Sequence, residues 1–316
     1  MARPGRSVRS DRLGGFPTRV GSLEFSGAVM TAAGTAGHGA ELGAFFPLAD
    51  LGAVVVKSLS AEPWAGNPPP RLHPTAAGML NSVGLQGPGV AAWLRDELPA
   101  LQASGATVVA SLWGRTVAEF AQGAALLAAA PACVVAVEVN VSCPNLDAGR
   151  HLFAHDPAAT AAVIEATASC GRPRWAKLSP NTDRLAAVAG AALEAGAEAV
   201  TIANTLLGMV IDLESRRPVL GGGGGGLSGP AIHPVAVRAV YDVRAALGDI
   251  AIVGAGGVAN GGDAIELLLA GACAVQVGTA TFADPHAPIR VLGELVEWCH
   301  AHNVKDLIDL VGAAHR

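Results

Sequence analysis

The feature that most constrains this chain is a repeat of short apolar runs separated by alanine- and leucine-rich stretches. Eight runs read as strands: residues 27–33, 53–58, 107–112, 134–141, 174–179, 198–203, 250–255 and 273–278. Their continuous apolar character suits parallel strands buried on both faces. Helices are predicted over 89–104, 116–130, 157–170, 182–195, 234–246, 261–271 and 286–302. Strands joined by helical crossovers predict an α/β fold, a (β/α)8 TIM barrel with extended βα loops over its C-terminal face. An open doubly wound sheet uses the same elements and stays as the alternative. The stretch GAGGVA at 254–259 imitates a dinucleotide fingerprint. It comes late in the chain, and the next strand does not end in an acid that could hold a ribose.

Two connections are longer than a barrel needs, 59–88 and 205–233. The second contains the run Gly221 to Gly226, which lacks the GK[ST] ending of a phosphate loop and reads as a flexible connector. The barrel is expected to occupy residues 23–316. Residues 1–22 carry Arg3, Arg6, Arg9 and Arg12 with no apolar stretch behind them. They read as a disordered N-terminal extension, not a secretory signal.

Composition narrows the function classes. Hydrophobic residues make up 51% of the chain and charged residues 15%, which allows a large core. A net charge of −5 gives no reason to expect nucleic acid. The five cysteines, Cys133, Cys143, Cys170, Cys273 and Cys299, form no CxxC pair. Neither a zinc site nor an iron–sulfur cluster is expected in this chain, and a reduced, cytoplasmic setting is. No uninterrupted apolar run reaches the ~20 residues of a membrane span.

Barrel active sites are built where strands finish. The strand ends offer Ala32, Ala33 and Gly34; Lys57 and Ser58; Ser111; Asn140 followed by Cys143; Lys177; Asn204 and Thr205; Gly256 and Gly257; Gly278 and Thr279. The set holds two lysines, several amides, glycines at the last two strands and no carboxylate. Glycines after strands seven and eight suit a phosphate. Lysines and amides suit a carbonyl-rich ligand that gathers negative charge, such as a reduced flavin. Any one of these residues alone could cap a loop or lie along the surface. Their recurrence at one end of successive strands points to a site.

The motifs AAGTAGHGAE (32–41), KS (57–58), GNPPPR (66–71), GMLNSVGLQGPG (78–89) and VNVSCPN (139–145) resemble those of the class 1 dihydroorotate dehydrogenases. So do AKLSPN (176–181), NTLLGM (204–209), GGLSGPAIHPVA (225–236), GAGGV (254–258) and AGACAVQVGTA (270–280). The likeness runs from about Gly27 to Trp298 and is nearest the 1B catalytic subunit. It implies FMN as cofactor and dihydroorotate as substrate. It implies substrate contacts from Lys57, Asn81, Val83, Gly84, Leu85, Asn140, Asn145, Asn204 and Thr205. It implies FMN contacts from Ala33, Gly34, Lys57, Ser58, Ser111, Asn140, Lys177, Ala203 and Gly229, with Gly256, Gly257, Gly278 and Thr279 at the phosphate. Cys143 would be the catalytic base, with Lys57 beside flavin and substrate. A thiol with a pKa near ~8.5 is far easier to deprotonate than a serine hydroxyl.

The resemblance further implies a homodimer, a possible electron-transfer subunit carrying FAD and an iron–sulfur cluster, and a cytoplasmic enzyme of pyrimidine biosynthesis. Three positions depart from the family pattern: Gly87 stands where an asparagine is usual, Ser111 likewise, and Ala33 replaces a common serine. Two other readings stay open at this point. One is an FMN enzyme for another cyclic amide such as dihydrouracil. The other is a flavin-binding subunit without chemistry.

Overall fold

Eight short parallel strands form the central sheet of the computed structural model, which describes residues 16–142 and 153–316. In chain order they are β1 (Val29–Thr31), β2 (Val54–Val55), β3 (Val108–Leu112), β4 (Val134–Asn140), β5 (Arg174–Lys177), β6 (Ala199–Ile202), β7 (Ile252–Ala255) and β8 (Ala274–Val277). Their spatial order is β1-β8-β7-β6-β5-β4-β3-β2. A parallel bridge between Met30 and Ala53 joins the two outer strands. There the Gly52 N–H donates to the Val29 carbonyl at 2.9 Å. The sheet thus closes, and the open doubly wound alternative falls away. Every predicted strand and every predicted helix overlaps an observed one.

The strands were expected to be apolar on both faces, and the upper layer of their inner face is not. Outward-pointing Val54, Val108, Val137, Val139, Val200, Ile252 and Val275 pack beneath the helices in the larger core cluster. A second cluster fills the bottom of the barrel with Met30, Val55, Val109, Ala136, Trp175, Ala199, Val253 and Ala274. Side chains two residues apart share a strand face. One layer further up, the inward positions are therefore Ser111, Glu138, Lys177, Thr201 and Gln276, all buried. The barrel interior is apolar at its floor and polar beneath its mouth.

The floor is sealed by a hairpin, Thr18–Val20 paired antiparallel with Leu23–Phe25. Val20 and Phe25 join the floor cluster, and Phe25 meets Trp175 edge-on at 5.8 Å between ring centres. Phe16 is buried as well. Residues 16–22 therefore belong to the folded unit, not to the extension in which the sequence reading placed them. Their apolar residues are few, but Val20 plugs the barrel floor and Phe16 packs into the larger core cluster.

The two long connections, after β2 and β6, meet in a four-stranded antiparallel sheet. Its order is Leu206–Gly208, Gly225–Ser228, Gly78–Asn81, Leu72–Thr75. This corrects the flexible-connector reading of Gly221 to Gly226. Gly226 pairs with both neighbouring strands, opposite Leu207 and Asn81, and Gly225 pairs with Gly208. A Cβ on Gly225 would lie 2.5 Å from the Asn81 carbonyl oxygen, and one on Gly226 would collide with the Thr205 side chain. Glycine there serves close backbone approach rather than freedom. Among the described residues no helix is long and apolar enough to cross a membrane.

Candidate active site

A cleft opens where the strands end, roofed by the four-stranded sheet. Every barrel strand except β3 contributes to its wall: Ala32 to Thr35, Lys57 and Ser58, Asn140, Lys177, Ala203 to Thr205, Ala255 to Gly257, and Gln276, Gly278 and Thr279. The roof adds Leu72, Met79, Asn81, Val83, Leu85 and Ser228. Leu85 holds a left-handed backbone with φ 60°, a strained conformation for a side chain of its size.

A chain of polar side chains crosses the wall. Ser111 Oγ lies 2.8 Å from Ser58 Oγ, and Asn140 Nδ2 donates to Ser58 Oγ at 3.4 Å. Asn204 Nδ2 donates to Asn140 Oδ1 at 3.3 Å, and the Thr205 N–H donates to Asn204 Oδ1 at 2.9 Å. Each amide is thereby oriented before any ligand arrives. Oriented amides of this kind recognise a planar ring that carries both N–H and C=O groups.

Two lysines reach the same cleft. Lys57 lies beside Gly34, with Nζ 3.5 Å from where a Cβ would stand. Among the described residues no carboxylate pairs with it, and burial pushes its pKa below the usual lysine range. Burial, and secondarily the charge of Lys57, also hold His38 below the usual histidine value. Lys177 is different. Its Nζ donates to Gln276 Oε1 at 3.0 Å and lies 3.5 Å from Glu138 Oε1.

Past the ends of β7 and β8 the wall becomes backbone. The N–H groups of Gly257, Gly278 and Thr279 donate to no protein acceptor among the described residues. Gly257 has φ 72°. Behind this turn His233 Nδ1 contacts the Gly256 carbonyl at 2.9 Å, and its Nε2 lies 3.0 Å from Glu266 Oε2. Free N–H groups at a strand-to-helix turn form a ready anion site.

A model of the dihydroorotate dehydrogenase family matches residues 16–298. The chain belongs to the dihydroorotate dehydrogenase family. It is 47% identical over 298 residues to the dihydroorotate dehydrogenase B (NAD(+)) catalytic subunit of Desulforudis audaxviator, covering 94% of this chain and 96% of that one. It is 44% identical over 314 residues to the subunit of the same name from Geobacter sp. strain M21, covering 99% of each. With that of Alkaliphilus oremlandii the identity is 43% over 294 residues, covering 93% and 96%.

The family is FMN-dependent, and the cleft fits that group. The uncommitted N–H groups of Gly257, Gly278 and Thr279 suit its phosphate. Lys177, whose amine is carried at the inner wall, suits the electron-rich pyrimidine edge of an isoalloxazine.

Most of the residues expected from the sequence meet in this cleft, and three do not. Ser111 is fully buried behind Ser58. Gly84 faces Asn67, and its carbonyl accepts from Trp64 Nε1 at 3.0 Å. Gly229 lines an adjoining recess with Gly78, Gly257 and Thr279. Cys143 and Asn145 lie outside the described residues. The sequence reading missed Gln276 and Ser228 on the wall. It also found no carboxylate at the strand ends, yet Glu138 sits one layer below Asn140 and is fully buried. The signal was there: a glutamate at an inward position of an otherwise apolar strand.

Proposed function

We propose that this chain oxidises dihydroorotate to orotate in pyrimidine biosynthesis. One observation carries the reading: a single cleft holds the oriented Asn140–Asn204 amides and, among the described residues, a Lys57 without a counter-charge and uncommitted N–H groups beyond β7 and β8. Bound FMN supplies the hydride acceptor. Asn81, Asn140 and Asn204 hold the pyrimidine ring, with Asn145 and Thr205 beside them, and Lys57 receives the substrate carboxylate. Val83 and Leu85 close the roof side of the ring, so water is kept from the reacting carbons. Removing the C5 proton needs a base within hydrogen-bond reach. We assign that role to Cys143.

The relatives are named as catalytic subunits of an NAD(+) enzyme. We extend this to a homodimer of catalytic chains working with a second subunit that carries FAD and an iron–sulfur cluster, in the cytoplasm. The absence of paired cysteine spacing in this sequence supports a cluster held by the partner.

The test is anaerobic titration of the purified protein with dihydroorotate while following flavin absorbance. Bleaching within seconds is expected. A yellow protein that dihydroorotate leaves unchanged, but dihydrouracil bleaches, would overturn the substrate. Cys143→Ala should keep FMN and slow bleaching by about 10²- to 10⁴-fold, the usual contribution of a positioned base. Unchanged bleaching would remove Cys143 from the reaction. Rapid turnover of the isolated chain with fumarate would overturn the partner subunit.

A further inference from the structure

Beneath the cleft, inside the barrel, lies a buried charge network that the reaction as described does not use. Glu138, on β4, has no exposed surface. Its Oε2 accepts from Thr201 Oγ1 at 2.9 Å and from Gln276 Nε2 at 2.6 Å. Among the described residues its Oε1 has no hydrogen-bond partner, and it faces Lys177 Nζ at 3.5 Å. Gln276 closes the ring by accepting from that same amine at 3.0 Å. Four strands, β4, β5, β6 and β8, each supply one member. Such an arrangement costs desolvation and gives little net stability, so its presence asks for another role.

We infer that Glu138 is a positioning residue that sets the reduction potential of the bound flavin through Lys177. The inference rests on FMN occupying the cleft. Lys177 is the cation at the inner wall, so its field favours the reduced, more negative flavin. Glu138, buried and not itself part of the cleft wall, lies against that amine and offsets part of its charge. It also restrains the ammonium: Thr201 and Gln276 fix the carboxylate, and the carboxylate and Gln276 fix Nζ. In a site shielded from water, a unit charge beside a bound cofactor would be weakly screened. The carboxylate therefore keeps the flavin from becoming too strong an oxidant to pass its electrons on to a low-potential acceptor.

The experiment is the midpoint potential of bound FMN, measured by anaerobic dye-coupled reduction of the purified chain. Glu138→Gln keeps shape and hydrogen bonding and removes the charge. It should raise the reduced-to-oxidised equilibrium at least tenfold, about 30 mV for a two-electron couple. Glu138→Asp keeps the charge but withdraws it by one methylene, so it should raise the potential by less than Gln does. That variant decides the matter if Glu138→Gln fails to hold FMN. Thr201→Val removes a hydrogen bond to the carboxylate without changing charge, and should move the potential less than Glu138→Gln. An unchanged or lowered potential in the Glu138 variants overturns the inference. So does a Thr201→Val shift as large as that of Gln, which would mark a merely structural effect. A wild-type chain that binds no flavin would overturn the functional reading and the inference together, whereas a flavoprotein with the same potential in wild type and variants would overturn the inference alone.

Discussion

Lys57 and Lys177 stand at the same end of one barrel, each at the close of an apolar strand, and the fold treats them in opposite ways. Lys177 ends β5 in a register that sets it beside Asn140 on one neighbour and Thr201 on the other. That register brings Glu138 to 3.5 Å. Lys57 follows β2, whose surroundings offer hydroxyls, glycine and the His38 imidazole, and among the described residues no carboxylate forms an ion pair with it. One lysine carries a counter-ion of its own. The other has its charge disfavoured by burial until an anion arrives. A site that must hold a permanent cofactor and exchange an anionic substrate has use for both kinds.

Removing each amine is the harshest way to break this comparison. Lys177→Met leaves Glu138 as a buried carboxylate without compensation, which costs about 3–5 kcal/mol. In a chain of this size that corresponds to a fall in Tm of about 5–8 °C. Lys57→Met removes a buried amine that pairs with no carboxylate among the described residues, so Tm should hold or rise. The same change should weaken orotate binding by about 10- to 100-fold, the scale of a hydrogen bond to a charged group. Scanning calorimetry at matched FMN, with orotate titration, checks both. Equal losses of Tm in the two variants would mean that the contrast in pairing has no energetic content.

How far the sequence could reach follows from these same residues. The barrel was legible because each strand is a β-rich run and each crossover an alanine- and leucine-rich helix, signals that are local. Lys57 and Lys177 were legible as strand-end residues by the same logic. Their difference was not, because VVVKS and RWAKLS carry the same local pattern, and the distinction comes from what a neighbouring strand supplies in register. Glu138 had a usable signal, the two-residue period that also aligns Ala136 and Asn140, which a reading of the strands as apolar on both faces discards. The glycine run misled for a related reason. Composition alone cannot tell a glycine needed for flexibility from one needed because another strand's backbone lies against it, as at Gly225 and Asn81.

A gentler test uses pH. Burial lowers the pKa of Lys57, so the amine loses its proton at a lower pH than an ordinary lysine. A carboxylate docked against it favours the charged form and raises that pKa again. Between the lowered and the raised values, binding must take up a proton, so orotate affinity falls as pH climbs through that window. Below the lowered value the amine is already charged, and affinity is flat. The onset of the fall should therefore lie below the ordinary lysine range near ~10.4. Isothermal titration in buffers of different ionisation enthalpy reads the proton directly. Lys57→Met should abolish both the uptake and the slope, while Glu138→Gln should leave them in place. Proton uptake that survives in Lys57→Met would assign the titration to another group.

The smallest expected effect belongs to Ser111, and it sharpens the boundary between wall and support. Its hydroxyl lies 2.8 Å from Ser58 Oγ and has no exposed surface, so it braces a cleft residue and does not meet the cleft. Ser111→Ala removes one neutral buried hydrogen bond, worth about 1 kcal/mol. Ser58 keeps its contact with Asn140 at 3.4 Å, so the chain of amides stays oriented. FMN should remain bound, orotate affinity should change by less than about tenfold, and the flavin potential should not move. The last point separates the two lysine neighbourhoods. Ser111 braces the Lys57 side, whereas the hydroxyl that steadies Glu138 beneath Lys177 is that of Thr201. A potential shift in Ser111→Ala comparable to that in Glu138→Gln would mean that the two neighbourhoods act on the flavin as one network.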